Sequence, residues 1–410
     1  MSEIDRLLAE YCPNGVPIRR LGEVGTFVRG RRFTKSDMVE VGIPCIHYGE
    51  IYTEYGVSAR TTVSHVKEDL RNQLRYAQPG DVIIAGVGET VEDVGKAVAW
   101  LGEGEVAIHD DSFLFRSELD PTYVSYYFRT STFHADKEQH VARAKVKRLS
   151  SSGLSRVTIP VPPPEVQSEI VRILDKTTEL QAELQAELQA ELQARTRQYE
   201  HHRDQLLTFV GREDIRWATL SEIATFKYGY TAKAAPMGDY RFIRITDINA
   251  NGKLSAHAAK YVEASDEATG YLVKQGDLLM ARTGATYGKT MLVGEDLDAV
   301  YASFLIRIRV DKSVLLPSFY WHFAQSGMFW DQADALVSTG GQPQFNANVL
   351  KTVRMAIPTL TEQARIVALL DRFDGLVDDL SSGLPAEIEA RRSQYEYYRD
   401  KLLTFEGWVA

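Results

Sequence analysis

The chain has 410 residues, of which 44% are hydrophobic and 25% charged, enough for two or more globular domains. No apolar run is long enough to span a bilayer, and the start MSEIDRLLAE has no signal-peptide core. Two cysteines, Cys12 and Cys45, exclude a disulfide framework and fit a reducing cytoplasm, while the net charge of −9 argues against an indiscriminate nucleic-acid binder but not against local basic surfaces.

In chain order, RRLGEVGTF around Leu21 opens a first region of mixed α/β character. Short β-branched runs at 81–85 and 97–101, set off by Gly and Asp, are expected as strands. PTYVSYYFRTSTF at 121–133 is expected as a helix starting at a tolerated proline, its aromatics going to the core. IPVPPP at 159–164 then makes a stiff, extended lead-in to a long helix over 165–209, roughly 65 Å at 1.5 Å per residue.

Inside that helix, 180–194 reads LQAELQAELQAELQA. All four residue types favour helix. Leu180, Leu184, Leu188 and Leu192 form one stripe, and Ala182, Ala186 and Ala190 a second face. Glu183, Glu187 and Glu191 recur at i,i+4, a like-charge spacing that a partner helix must offset. Each four-residue unit adds roughly 6 Å and shifts the phase by only about 40°, so units can be gained or lost as on a ruler.

The second half repeats the first. QYEHHRDQLLTF at 198–209 recurs as QYEYYRDKLLTF at 394–405, and the same displacement carries Gln167 onto Gln363 and Asp175 onto Asp371. The leucine stripe falls on Leu376, Leu380, Leu384 and Ile388. WATLSEIATF around Leu220 echoes the opening motif, Gly276-Asp277 matches Gly80-Asp81, and YASFLIRI around Phe304 resembles DDSFLFR around Phe113. Strands are expected at 240–245 and 304–310, and an aromatic helix at 317–330. Gly383 and Pro385 should kink or divide the second long helix. The resulting segments are 1–160, 161–210, 211–358 and 359–410: a domain and a helix, twice. The expected fold is therefore α/β (α+β), two similar mixed domains with a pseudo-two-fold internal repeat.

No catalytic constellation is present. GATYGKT at 284–290 has three residues between its glycines where a phosphate loop has four, and no GxSxG, HExxH or paired Cys-x-x-Cys occurs. His201-His202 has no further metal ligands beside it on its helix. The chain reads as a non-enzyme.

The two-half layout, IPVPPPEVQSEIVRILDK, IPTLTEQARIVALLDRF, the paired QYExxRDxLLTF segments and the tetrapeptide run together resemble the DNA specificity subunit of type I restriction–modification systems, over essentially the whole chain. The resemblance implies two target-recognition domains held apart by two antiparallel helices, each reading half of a split, asymmetric site in double-stranded DNA. It implies two methyltransferase subunits bound by the helices, with motor-endonuclease subunits joining them, and no membrane partner. Methylation would fall on adenine N6. S-adenosylmethionine would be bound by the methyltransferase, ATP and Mg by the motor-endonuclease, and no cofactor by this chain. In the subgroup with central tetrapeptide repeats, repeat number sets half-site spacing. The Ser381–Pro385 stretch (SSGLP) departs from the clean repeats of the first helix, which bears on the symmetry of the pair.

Phosphate contacts supply affinity and base edges supply sequence. The candidate DNA-binding residues are Arg29, Arg31 and Arg32 in VRGRRF, Lys96, and Lys145, Lys147 and Arg148 in RAKVKRLSSSG. In the second region they are Arg282, Thr283 and Lys289, and the amides Gln342, Gln344 and Asn346 of STGGQPQFN, at the position equivalent to AKVKRLS. Tyr228, Tyr230 and Arg244 are outlying candidates. Tyr199, Arg203, Tyr395 and Arg399 lie at i,i+4 on the helices as candidate partner-binding residues, with packing of the helices as the other reading. Two other functions compete: a coiled-coil adaptor joining two ligand-binding domains without DNA, and a cryptic enzyme, which would need paired titratable groups that the sequence does not show.

Overall fold

The computed structural model describes residues 3–143, 145–255, 258–337 and 343–405. The chain divides into two compact units, one formed by 1–187 with 385–410, the other by 188–384. Both boundaries fall inside long helices, Pro164–Leu207 and Leu360–Thr404. Each unit therefore holds one domain, the near end of one helix and the far end of the other. No helix among the described residues is long and apolar enough to cross a membrane.

In the first unit a five-stranded sheet is built from β1 (Gly25–Arg29), β2 (Ser58–Ala59), β3 (Val82–Ala85), β4 (Ala97–Trp100) and β5 (Ser112–Ser117), in the order β1-β5-β3-β4-β2. β3 and β4 are buried along their whole length, as their unbroken apolar runs require. A second five-stranded sheet, of shorter strands, contains the parallel pair Ile43–Ile46 and Val106–Ile108. The second unit repeats the scheme with β6 (Ala224–Tyr228), β7 (Leu278–Ala281), β8 (Thr290–Leu292) and β9 (Leu305–Val310), in the order β6-β9-β7-β8. Its smaller sheet again has a parallel pair, Tyr240–Ile243 with Ala299–Tyr301.

The repeat extends to individual bonds. Gly80 and Gly276, at φ +95 and +88, turn the chain into β3 and β7. The next residue closes the same turn twice: Asp81 accepts the Gln78 N–H (2.7 Å) and Asp277 the Lys274 N–H (3.0 Å). Both carboxylates are buried and paired, Asp81 with Arg116 (2.6 Å) and Asp277 with Arg309 (2.5 Å). Gln167 accepts the Asp120 N–H and donates to Pro162 O, while Gln363 accepts the Leu316 N–H and donates to Val314 O and Pro358 O.

Two expectations change. SFL occurs in both DDSFLFR and YASFLIRI, but the ladders do not align on it. Phe115 lies opposite Val82, and Ile308 opposite Leu278, so Phe113 corresponds to Ile306 and Phe304 to Asp111. A two-residue slip keeps every side chain on its own face, so alternation alone does not detect it. Phe113 is accordingly buried, and Phe304 stands exposed before β9. The second long helix is not divided at Pro385 but runs unbroken for 45 residues, because one missing N–H removes one bond from a long ladder.

The aromatic stretches are helical, each in two pieces: Pro121–Tyr127 and Ser131–Glu138, then Pro317–Phe323 and Gly327–Leu336. Thr130 and Ser326 break them by capping the second piece. Tyr123, Tyr126, Tyr127, Phe128 and Phe133 are buried in the first core, and Phe319, Tyr320, Phe323 and Phe329 in the second.

Candidate nucleic-acid interface

β1 pairs antiparallel with β5, which brings the residues before β5 beside those after β1. At this crossing Gly30 has no room for a Cβ, which would meet His109 O at 2.0 Å; Gly229 is held the same way by Ala302 O at 2.1 Å. In the first unit the crossing gathers charge. Arg29 Nε donates to Asp110 O (2.6 Å), and Arg148 Nη1 donates to Asp111 Oδ1 (3.1 Å). Arg148 arrives on the strand Lys147–Leu149, which pairs with Val87–Gly88 just beyond β3. Arg31, Arg32 and Lys145 are exposed, and Lys147 is half-buried.

His109, Asp110 and Asp111 place ligand atoms within 4.8 Å of one another. Both ring nitrogens of His109 have partners, however: Nε2 is 3.1 Å from Phe33 O, and Nδ1 accepts the Asp111 N–H. The two carboxylates face Arg29 and Arg148. The cluster therefore reads as an ionic knot rather than a metal centre. Burial, with a smaller push from His109, lowers His47 to about 4, and burial also lowers His109. At neutral pH the rings packed around Phe33 are thus uncharged.

The same crossing in the second unit is aromatic. Tyr228 stands at the end of β6 as Arg29 does at the end of β1, and Phe304 takes the place of Asp111. Between them lies Arg282, its guanidinium 5.2 Å from the Tyr228 ring centre and 5.6 Å from that of Phe304. Its Nε donates to Ser303 O (3.0 Å). Tyr228 is 43% exposed and Phe304 53%. Gln344 pairs with Thr283 as Arg148 pairs with Val87, and Phe345 N–H donates to Arg282 O as Leu149 N–H donates to Gly86 O. Beside Phe304 opens a cavity of about 310 Å³ lined by Tyr230, Ala232, Ala234, Phe242 and Arg244.

Other candidates lie elsewhere. Asn346 is a helix cap: its Oδ1 accepts the N–H groups of Asn348 and Val349, the role Ser150 plays in the first unit. An amide so committed lacks the acceptor needed to pair with adenine. Lys289 is turned toward Ile248 O (3.5 Å) and lines a separate cavity of about 280 Å³ with Tyr199 and Arg203. Lys96 is half-buried over the Tyr52 ring, its pKa lowered chiefly by burial. Arg244 is held by Asp247 (2.8 Å). Gln342 lies outside the described residues.

The model of the type I restriction modification DNA specificity domain matches residues 13–194 and again 213–390. The chain belongs to this family. The specificity subunit of the Escherichia coli type I restriction enzyme EcoR124I/EcoR124II is 33% identical over 307 residues, 69% of this chain and 70% of that one. The Salmonella potsdam StySPI specificity subunit is 21% identical over 90% of this chain and 84% of its own. Among solved structures, one from work on assembly and conformational transition of the type I R-M system has a TM-score of 0.75 at 17% identity, covering 95% of this chain and 98% of that one. The HsdS subunit of Thermoanaerobacter tengcongensis has 0.58 at 16% identity, covering 95% and 97%. The type I family places two recognition domains in this chain, and the adaptor reading has no support among these relatives.

Within this family chain the four tyrosine and arginine candidates on the helices make contacts inside their own units. Tyr199 and Arg203 are buried, Arg203 over the Tyr199 ring (5.5 Å), and Tyr199 Oη lies 3.4 Å from His322 Nδ1. Tyr395 Oη is 3.0 Å from Thr178 Oγ1, and Arg399 pairs with Asp400 (2.7 Å). Packing thus occupies Tyr199 and Arg203, and little of either is left for a partner in this conformation. The aspartates next to the arginines were missed. Asp400 accepts the N–H of Ser131, and Asp204 that of Gly327, each at the start of the second aromatic helix piece of its unit. Their signal was the RD dipeptide that recurs in both QYExxRD segments.

Proposed function

We propose that each unit reads one half of a bipartite DNA site, and that the chain assembles two adenine-N6 methyltransferase subunits and the motor-endonuclease subunits on its helices, in the cytoplasm. Catalysis and the cofactors, S-adenosylmethionine, ATP and Mg, then belong to those partners. The observation carrying this reading is the repeated crossing. One backbone register holds Arg29 and Arg148 in one unit, and Tyr228 and Gln344 in the other. A scaffold kept in register while its polar side chains change is what two readers of different half-sites require.

In the first unit Arg31, Arg32, Lys145 and Lys147 would meet phosphates. Arg29 and Arg148 would exchange Asp110 and Asp111 for phosphate or base edges. In the second unit Arg282, Thr283 and Gln344 would line the groove. The exposed helix residues, Leu180, Tyr397 and Tyr398 in the first unit and Leu376 in the second, offer each unit apolar surface that a methyltransferase subunit would cover.

The test is single-molecule methylation mapping after co-expression with the cognate methyltransferase subunit in a host lacking adenine methylation. A split motif should appear. Lys145→Ala should lower methylation at every site without changing the motif and reduce the salt slope of binding by about one. A complex that assembles yet adds no methylation would overturn the reading.

A further inference from the structure

We propose that Arg282 reads a guanine in the half-site of the second unit, using Tyr228 and Phe304 as a clamp that fixes its guanidinium. This rests on the DNA-reading function proposed above and assigns one base to one side chain. Arginine recognises guanine by donating two parallel hydrogen bonds to O6 and N7 in the major groove, and that geometry demands a fixed plane. Here the guanidinium is held in place before any DNA arrives. Two rings lie within 5.6 Å of the guanidinium, and Nε is tied to Ser303 O. These contacts leave the Nη edge to bind.

Unlike Arg29, Arg148 and Arg244, each paired with a carboxylate, Arg282 meets none among the described residues and is open to bind DNA. Two further observations separate it from a general phosphate contact such as Arg31 or Arg32. A phosphate contact is tolerant of side-chain direction and needs no clamp. The clamp also keeps Phe304 more than half exposed next to an exposed Tyr228, an apolar surface that a base edge would cover. The main chain of Arg282 is anchored as well, through the N–H of Phe345, next to the paired residues Thr283 and Gln344. The amide of Gln344 is therefore placed to read a neighbouring base. The first unit has Gly86 and Asp111 where the second has Arg282 and Phe304. The guanine requirement tested by Arg282 should accordingly lie in one half-site only.

The experiment uses the full chain co-expressed with its methyltransferase. Wild type must give a split motif; if it gives none, the general reading fails before this one is tested. Arg282→Ala should then relax a single guanine position in one half-site, lowering discrimination there by about 10- to 100-fold. The other half-site should be unchanged. Phe304→Ala should relax the same position to a smaller extent, because the arginine remains but its plane is freed.

A second measurement needs no variant. Replacing guanines one at a time by 7-deazaguanine removes the N7 acceptor, and wild-type complex should lose affinity at one guanine of that half-site. Arg282→Ala complex should be indifferent to the same replacement. An unchanged motif with uniformly weaker, less salt-dependent binding would show a phosphate contact and overturn the proposal. A wild-type motif without guanine in either half, or 7-deazaguanine sensitivity that survives Arg282→Ala, would overturn it equally.

Discussion

Buried ionisable side chains set how the first unit responds to acid. Burial, with Lys137 and Arg399 adding to it, pushes His134 from an ordinary 6.5 to about 4, and burial does the same to His47. Between those values the unfolded chain takes up protons that the folded chain refuses. Stability is therefore lost as pH falls from 6.5 toward 4, and these groups contribute nothing above 6.5. His134→Leu removes one such group along with a ring nitrogen, Nδ1, that has no hydrogen-bond partner. Its melting temperature should fall less steeply over that window than the wild type's, as read by calorimetry of the full chain, and superimposable profiles would refute the assignment. The buried aspartates make a second prediction. Asp277→Ala breaks both the turn into β7 and the pair with Arg309, and because that arginine is 41% exposed the cost should be about 2 kcal/mol rather than that of a fully buried pair. Denaturant unfolding measures it, and Asp81→Ala should cost somewhat less, since Asp277 also lies 3.9 Å from the buried Arg307 whereas Asp81 pairs with Arg116.

Among elements, what could be read from the sequence was local, and what escaped it was register. The recurring Gly-Asp turns marked β3 and β7, and the prolines marked both aromatic helix starts. The caps Thr130 and Ser326 lay inside what looked like continuous helices, because one hydroxyl among aromatics interrupts no apolar periodicity. Nothing in the alternation penalises the two-residue slip that sets Phe304 against Phe113. That hid the arginine clamp, whose three residues are far apart in sequence and meet only when β6, β7 and β9 are placed side by side. An amide between glycine-rich and apolar stretches, as at Asn346, suits base reading and capping alike; only the cap hydrogen bonds decide. Asn346→Ala should thus cost about 1 kcal/mol of stability. Its methylation motif should stay that of the wild type, and a changed half-site would restore the reading role. At Pro385 the uninterrupted helix implies a recoverable bond: Pro385→Ala should raise the unfolding free energy by about 1–3 kcal/mol, and a lower melting temperature would mean the proline is needed where it is.

For the molecule as a whole, the tetrapeptide run has the placement a ruler needs. It lies on one unbroken helix of 44 residues, and the boundary between the two units falls within the run, at Glu187 and Leu188. Leu184, Leu188 and Leu192 are half-buried, whereas Leu180 is 51% exposed and Ala182, Ala186 and Ala190 are open to solvent. A single stripe therefore does the packing, and removing one LQAE unit restores that stripe with a phase error of about 40°. The deletion shortens the helix by roughly 6 Å, against roughly 3.4 Å per base-pair step. The shift in half-site spacing should be one base pair if inclination of the helix or bending of the DNA absorbs part of that length, and two if neither does. Both half-site sequences should survive, because neither crossing contains a residue of the run. Methylation mapping of the deletion beside the wild type decides it. A shortened gap with intact halves establishes the run as the spacer. An unchanged gap would mean that the spacing is set at the domain ends of the helices, where Asp204 and Asp400 hold the first turns of Gly327–Leu336 and Ser131–Glu138.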